Sequence, residues 1–278
     1  MSRIPPIKIT PIKLIIPAMF ALTLFPVFYK IEAQDLKLPQ CQDEEIVNTV
    51  VDFFISESVW SAYGESKIKE MINSSIHTAN LTLKNSCVPM RRQSGKLYQV
   101  DMTIQAFDPD LASYRNQLLR VTEPTIIKEI TQKPNHYYAL VVDDLPDDIL
   151  GKTDVYLDPQ FLILSDQAEK YTLEHELGHL ANAWHDDTSW NSSLSKYLEE
   201  YTPDAHKNEL HAYARGYNCA GRRTIMSQSS VYYLQLPIYS SPDIFFGDET
   251  CGDHEHADNA RQLREYARRL KDKMKNNV

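Results

Sequence analysis

HELGHLANAWHD, residues 175–186, is the stretch that decides how this chain is read. On a helix, positions i and i+4 lie one above the other, so His175 and His179 can aim imidazole nitrogens at one point. Glu176 is turned by about 100° from His175 at 3.6 residues per turn. His185 follows six residues after His179. A straight helix would carry it roughly 9 Å further along the axis, at 1.5 Å per residue. The helix must therefore stop and the chain must turn back. A residue in the left-handed conformation makes that stop, with glycine preferred and asparagine the usual second choice. Asn182 is expected to occupy it with a positive φ. The three histidine nitrogens are then expected to converge.

Three neutral imidazoles suit a divalent transition metal, zinc above all, with a fourth position left open. A carboxylate beside such a site can hold the attacking water and take its proton. The motif thus predicts one catalytic Zn2+, with His175, His179 and His185 as ligands and Glu176 as general base.

The rest of the chain fits an exported enzyme. Arg3, Lys8 and Lys13 precede LIIPAMFALTLFPVF, an apolar run over 14–28. That run is short for a membrane span, which needs about 20 residues. A small residue, Ala33, follows at a plausible cleavage point. Residues 1–33 are therefore expected to be a secretory signal peptide, with no stable membrane span after its removal. The protein is expected outside the cytoplasm, extracellular or periplasmic. Four cysteines in an exported chain suggest two disulfides. Cys41–Cys87 and Cys219–Cys251 is the favoured pairing, because each pair lies within one half of the chain. The competing role for Cys41 is a thiolate that blocks the metal from a short pro-segment. A net charge of −9 argues against a general nucleic-acid binder, which would show a basic surface.

Strands are expected at TVVDFFI (49–55), KLYQVDMTI (96–104), HYYALVVDD (136–144), DVYLD (154–158) and FLILSD (161–166), from their β-branched and aromatic content. Apolar residues recurring at three or four place a helix over 64–86, with Ile68, Ile72, Ile76, Ala79 and Leu83 on its buried face. Helical turns interrupted by Pro124 are expected over 112–131, the motif helix over 167–181, and a final amphipathic helix over 258–274. Strands and helices alternate up to the motif, which argues for an α/β sheet.

The sequence resembles the metzincin clan of zinc endopeptidases, whose pattern is HExxHxxGxxH followed by a Met-containing turn. Here HELGHLANAWH is followed by RRTIMSQ, and Asn182 departs from the glycine. Asp186 after the third histidine is similar to the adamalysin/reprolysin branch. The stretches NSSIHTANLTLKNSCVPMR and YSSPDIFFGDETCGDHEHADNARQLREYA resemble the first helix and the end of bacterial reprolysin-like proteases. The resemblance implies an α+β zincin-like fold with a mixed, twisted five-stranded sheet, a smaller irregular C-terminal subdomain ending in a helix, and an active-site cleft between them. The implied division is a short N-terminal segment 34–44, a catalytic subdomain 45–185 and a C-terminal subdomain 186–278. Asn182, Asp186 and Met226 are implied to be structural at the site. Gln228 stands where some clan members have a zinc-ligating tyrosine, so no such ligand is expected. With only a short segment before the first strand, no folded prodomain is expected.

The activity implied is a secreted metalloendopeptidase, acting as a monomer on a peptide bound in extended form along an exposed edge strand, for which DVYLD is the candidate. A zinc-bearing binding or toxin-accessory module with little turnover is the alternative. A third reading is a surface helix with stray histidines and no metal. His77, His206 and His211 are expected to be solvated or structural. DHEH, 253–256, is expected to be a charged loop capping the last helix rather than a second cation site. Asn73, Asn80 and Asn191 lie in N-x-S/T sequons.

Overall fold

In a computed structural model, the described residues are 35–102, 110–143, 145–146, 149–186, 200, 202–228 and 234–276. The proposed signal peptide, Asn191 and most of the stretch just after Asp186 lie outside them. Among the described residues no helix is long and apolar enough to cross a membrane.

The centre is β2 (Val47–Ser56), nearly buried along its whole length. It pairs in parallel with β3 (Met90–Val100) on one side and β4 (His136–Val142) on the other. β4 pairs in parallel with β6 (Phe161–Ser165), and β5 (Gly151–Thr153) closes the edge antiparallel to β6. The mixed five-stranded order is β3-β2-β4-β6-β5. Parallel neighbours need crossovers. α1 (Glu57–Asn85) supplies one, and α2 (Leu111–Val121) with α3 (Pro124–Thr131) supplies the next. Both faces of the sheet are covered, which is why its central strands are apolar runs rather than alternations. Side chains still alternate between faces. Phe54, Tyr138, Leu140, Phe161 and Ile163 pack with α2 and α3. Phe53, Ile55, Tyr137, Ala139 and Leu164 pack with α1 and with Leu173 and Leu177 of the motif helix. The molecule is thus an α+β fold built on a mixed sheet.

Several expected boundaries move, each for a local reason. α1 begins at Glu57, because Ser56 accepts a hydrogen bond from the Val59 N–H and caps it. Gly64, with φ 73°, breaks this helix into two segments. β3 starts earlier than its apolar core suggested. It is one of the sheet's two edge strands, and polar residues tolerate its exposed positions. Pro124 opens α3 instead of merely interrupting helix, since its missing N–H costs nothing in a first turn.

DVYLD is not a strand. The Asp154 carboxylate accepts the N–H groups of Tyr156 and Leu157 and turns the chain, a conformation in which aspartate competes with ladder bonding. The edge strand is Gly151–Thr153 instead. The motif helix, α4, is also shorter than expected, running from Thr172 to Leu180. Residues 165–168 are held in a turn by the Ser165 hydroxyl and carbonyl.

Beyond Asp186 the chain forms short ladders. β1 (Leu36–Lys37) pairs with β10 (Ser241–Phe246), which pairs with β11 (Glu249–Cys251). β7 (Asn218–Cys219), β8 (Arg222–Arg223) and β9 (Leu234–Gln235) form a second small sheet. Disulfides join Cys41 to Cys87 and Cys219 to Cys251. Cys41 is therefore no free thiolate. α5 (Asn259–Asn276) buries Leu263, Ala267 and Leu270, with Met274 partly covered. The DHEH loop does not cap it. Asp253 accepts the N–H groups of Glu255 and His256 within its own turn, and Asp258 accepts the Arg261 N–H of the helix. Asn80 has a structural task that its sequon did not suggest: its amide bonds the Arg92 backbone through both its oxygen and its nitrogen.

Candidate metal centre

α4 sets His175 and His179 on one face, and the chain after it does what their spacing requires. The helix ends at Leu180. Asn182 has φ 61°. The Ala183 N–H returns to the Gly178 carbonyl at 3.0 Å, which closes the helix end. Trp184 is then clamped on the 214–216 segment, its N–H to Ala214 O and its carbonyl to the Gly216 N–H. His185 is thereby brought back over the helix. Its Nε2 lies 3.1 Å from His175 Nε2 and 3.0 Å from His179 Nε2.

The tautomers follow from the partners. His175 Nδ1 sits 2.7 Å from Ile225 O, and His179 Nδ1 sits 2.9 Å from Ala183 O. A carbonyl only accepts, so each Nδ1 carries the proton and each Nε2 presents a lone pair inward. Burial pushes the His175 imidazole below its ordinary range and His179 well below it. Burial, helped by the charges of His175 and Arg215, brings His185 down to about 3. Three neutral nitrogen donors that meet at one point, two of them oriented by a second hydrogen bond, fit a zinc-type cation. Among the described residues, this is the one group of histidine, cysteine or carboxylate donors placed to hold a metal.

Glu176 is buried, and that burial pushes its carboxyl up to about 8. A cation beside it would act in the opposite direction. Together with His175 it lines a cleft of about 410 Å³ that also includes Leu150, Gly151, Tyr171 and Arg223. Edge strand β5 comes very close here. A β-carbon on Gly151 would lie 2.9 Å from Glu176 Cγ and 3.0 Å from its Oε1. Gly151→Ala is accordingly expected to displace the Glu176 carboxylate without unfolding the protein. Any turnover should fall by about 10- to 100-fold, the scale of a small misplacement, at unchanged metal content. Unchanged turnover would mean that Glu176 has room to give.

Asp186 and Met226 also have defined tasks. The Asp186 carboxylate accepts from Asn218 Nδ2, the Ser227 hydroxyl and the Gln228 N–H. It therefore ties the residue next to a candidate ligand to the turn containing Met226. Met226 is buried beneath α4, and a β-carbon on Gly178 would meet its Sδ at 2.8 Å. The same turn supplies the Ile225 carbonyl that orients His175. His206, His211 and the DHEH histidines are not part of the cluster. His206 lies 3.6 Å from Glu209, and His211 stacks on Tyr213.

Sequence reasoning missed two sets of residues behind the site. Glu174, immediately before His175, is fully buried and receives both Nε and Nη2 of Arg92, at 2.9 and 3.0 Å. Burial opposes the Arg92 charge, but Glu174 outweighs it and holds the guanidinium above its usual range. The Tyr239 hydroxyl completes the group on Glu174 Oε1 at 2.8 Å. The second set is on α5. Gln262 donates to Ala181 O and Asn259 to Trp184 O, on either side of Asn182. The available signal was two amides on the apolar face of an amphipathic helix.

No protein-family model matches this chain, and no curated protein matches its sequence. Among solved structures, a chain from a chaperone–substrate complex aligns with a TM-score of 0.58 at 16% identity, over 82% of this chain and 35% of its own length. The present chain thus spans about a third of that one, and the likeness concerns the fold alone. Metalloproteinase-II from Bacteroides fragilis aligns at a TM-score of 0.36 and 20% identity, over 54% of this chain and 47% of its own. That similarity is too low to support an argument about function.

Proposed function

We propose that this protein is a secreted zinc-dependent metalloendopeptidase of the metzincin type. The supporting observation is the meeting of the His175, His179 and His185 Nε2 atoms beside a buried glutamate in an open cleft. These three residues would hold the ion. Zinc there would supply Lewis acidity and lower the pKa of a water towards about 7. Glu176 takes a proton from the attacking water and passes it to the leaving amine nitrogen. The β5 edge, beside Glu176, offers backbone groups to an extended peptide by strand addition. Asp186 and the Met226 turn keep the ligand frame rigid. The two disulfides suit an extracellular setting.

Two measurements test this reading. Elemental analysis of the purified protein is expected to find one zinc per chain. Cleavage of an unfolded protein substrate is expected to stop on addition of a chelator and to return with added zinc. Zinc without cleavage of any unfolded substrate would leave a metal-bearing binding module. Failure to bind metal at all would overturn the whole proposal.

A further inference from the structure

A second cavity, at the C-terminal end of α4, shares no lining residue with the cleft. Its volume is about 360 Å³, within the roughly 300–1,000 Å³ of small-ligand sites. α5 forms one wall. The 155–160 turn, Asn182 and the short helical segment 204–209 also line it.

The charge pattern of α5 singles this cavity out. Arg261 is paired with Glu265, Arg264 with Asp258, Arg268 with Glu44 and Lys271 with Glu45. Lys275, near the helix end, also acts on Glu45. Arg269 and Lys273 have no carboxylate partner among the described residues, and these are the two that line the cavity. They stand four residues apart, so they share a face about 6 Å apart along the axis. Arg269 lies 5.9 Å from the centre of the Tyr266 ring. One carboxylate, Glu209, lines the cavity too, already engaged by Asn182 at 3.1 Å and His206 at 3.6 Å. Two cations against one carboxylate suit a monoanion better than a phosphate dianion. A guanidinium fork beside an ammonium reads a carboxylate well. Val155, Leu180, Leu270 and Tyr156 add apolar surface that an inorganic anion would not use.

We propose that this cavity binds the free C-terminal end of a peptide, with Arg269 and Lys273 on its carboxylate and the apolar lining around its last side chain. The site does not depend on whether the metal centre cleaves peptides. It adjoins it through Leu180, the last residue of α4, and Asn182, which sits in the turn that delivers His185.

The test is calorimetric titration of the full chain with an N-acetylated tripeptide ending in phenylalanine, as the free acid and as the amide. A chelator is kept present so that no carboxylate can ligate a metal. The acid is expected to bind, and the amide at least about tenfold more weakly, the scale of losing one charge-assisted hydrogen bond. Combining Arg269→Gln with Lys273→Gln is expected to weaken the acid by at least about tenfold, whereas Arg268→Gln should leave it unchanged. Equal binding of acid and amide would overturn the proposal, as would unaltered binding by the double variant or no binding at millimolar peptide. Displacement of the peptide by stoichiometric inorganic phosphate would overturn the choice of ligand. If the double variant failed to fold, the acid and amide comparison on the unaltered chain would still decide.

Discussion

Glu176→Gln is expected to lower peptide cleavage by about 10²- to 10⁴-fold, the usual contribution of a positioned general base, while zinc remains bound. Glutamine keeps the shape of the side chain and its fit against Gly151. It replaces a carboxylate, which can accept a proton and hand it on, with an amide, which cannot. The three imidazoles, and the carbonyls that orient two of them, are untouched, so metal content should be unchanged. The measurement is turnover on an unfolded substrate beside elemental analysis of the same sample. Retained turnover would remove Glu176 from the mechanism. Parallel loss of turnover and zinc would make it a residue that holds the site together instead.

The second large effect is thermodynamic. Glu174→Ala or Arg92→Ala should each cost about 3–5 kcal/mol, because either one strands a buried, uncompensated charge. Both side chains are almost fully buried, and the pair is bidentate. The combination Arg92→Met with Glu174→Leu should cost clearly less than either single change, since replacing both charges removes the stranded one. Denaturant unfolding of the four proteins separates the cases. If the single and double variants were equally stable, Arg92 and Glu174 would not act as a pair. Glu174 directly precedes His175, so the single variants should also bind zinc more weakly.

The parallel core was legible because β2, β4 and β6 are buried on both faces and are written as apolar runs. The reversal at Asn182 was legible because three histidines at those offsets can meet only if the helix stops. The disulfide pairs were among the three pairings the cysteine count allowed. What escaped depended on partners distant in sequence. Nothing local marks Arg92 as belonging to Glu174, 82 positions later. The composition of DVYLD favours a strand, and only the Asp154 side chain folding onto its own backbone overrules it. The C-terminal ladders are two or three residues long in most cases and leave no periodicity to read.

His175 is oriented by the carbonyl of Ile225, and Asp186 holds the turn around it. That turn packs on Tyr239 and on α5, which in turn holds Ala181 and Trp184. Near the start of the described chain, β1 is completed only by β10. The ligand triad is therefore set by contacts of high sequence separation, which form late. A chain still emerging from a ribosome or a translocation pore can have the sheet and α4 without a competent metal site. Under the proposed function, capture of a metal by the three histidines would therefore report that folding is finished.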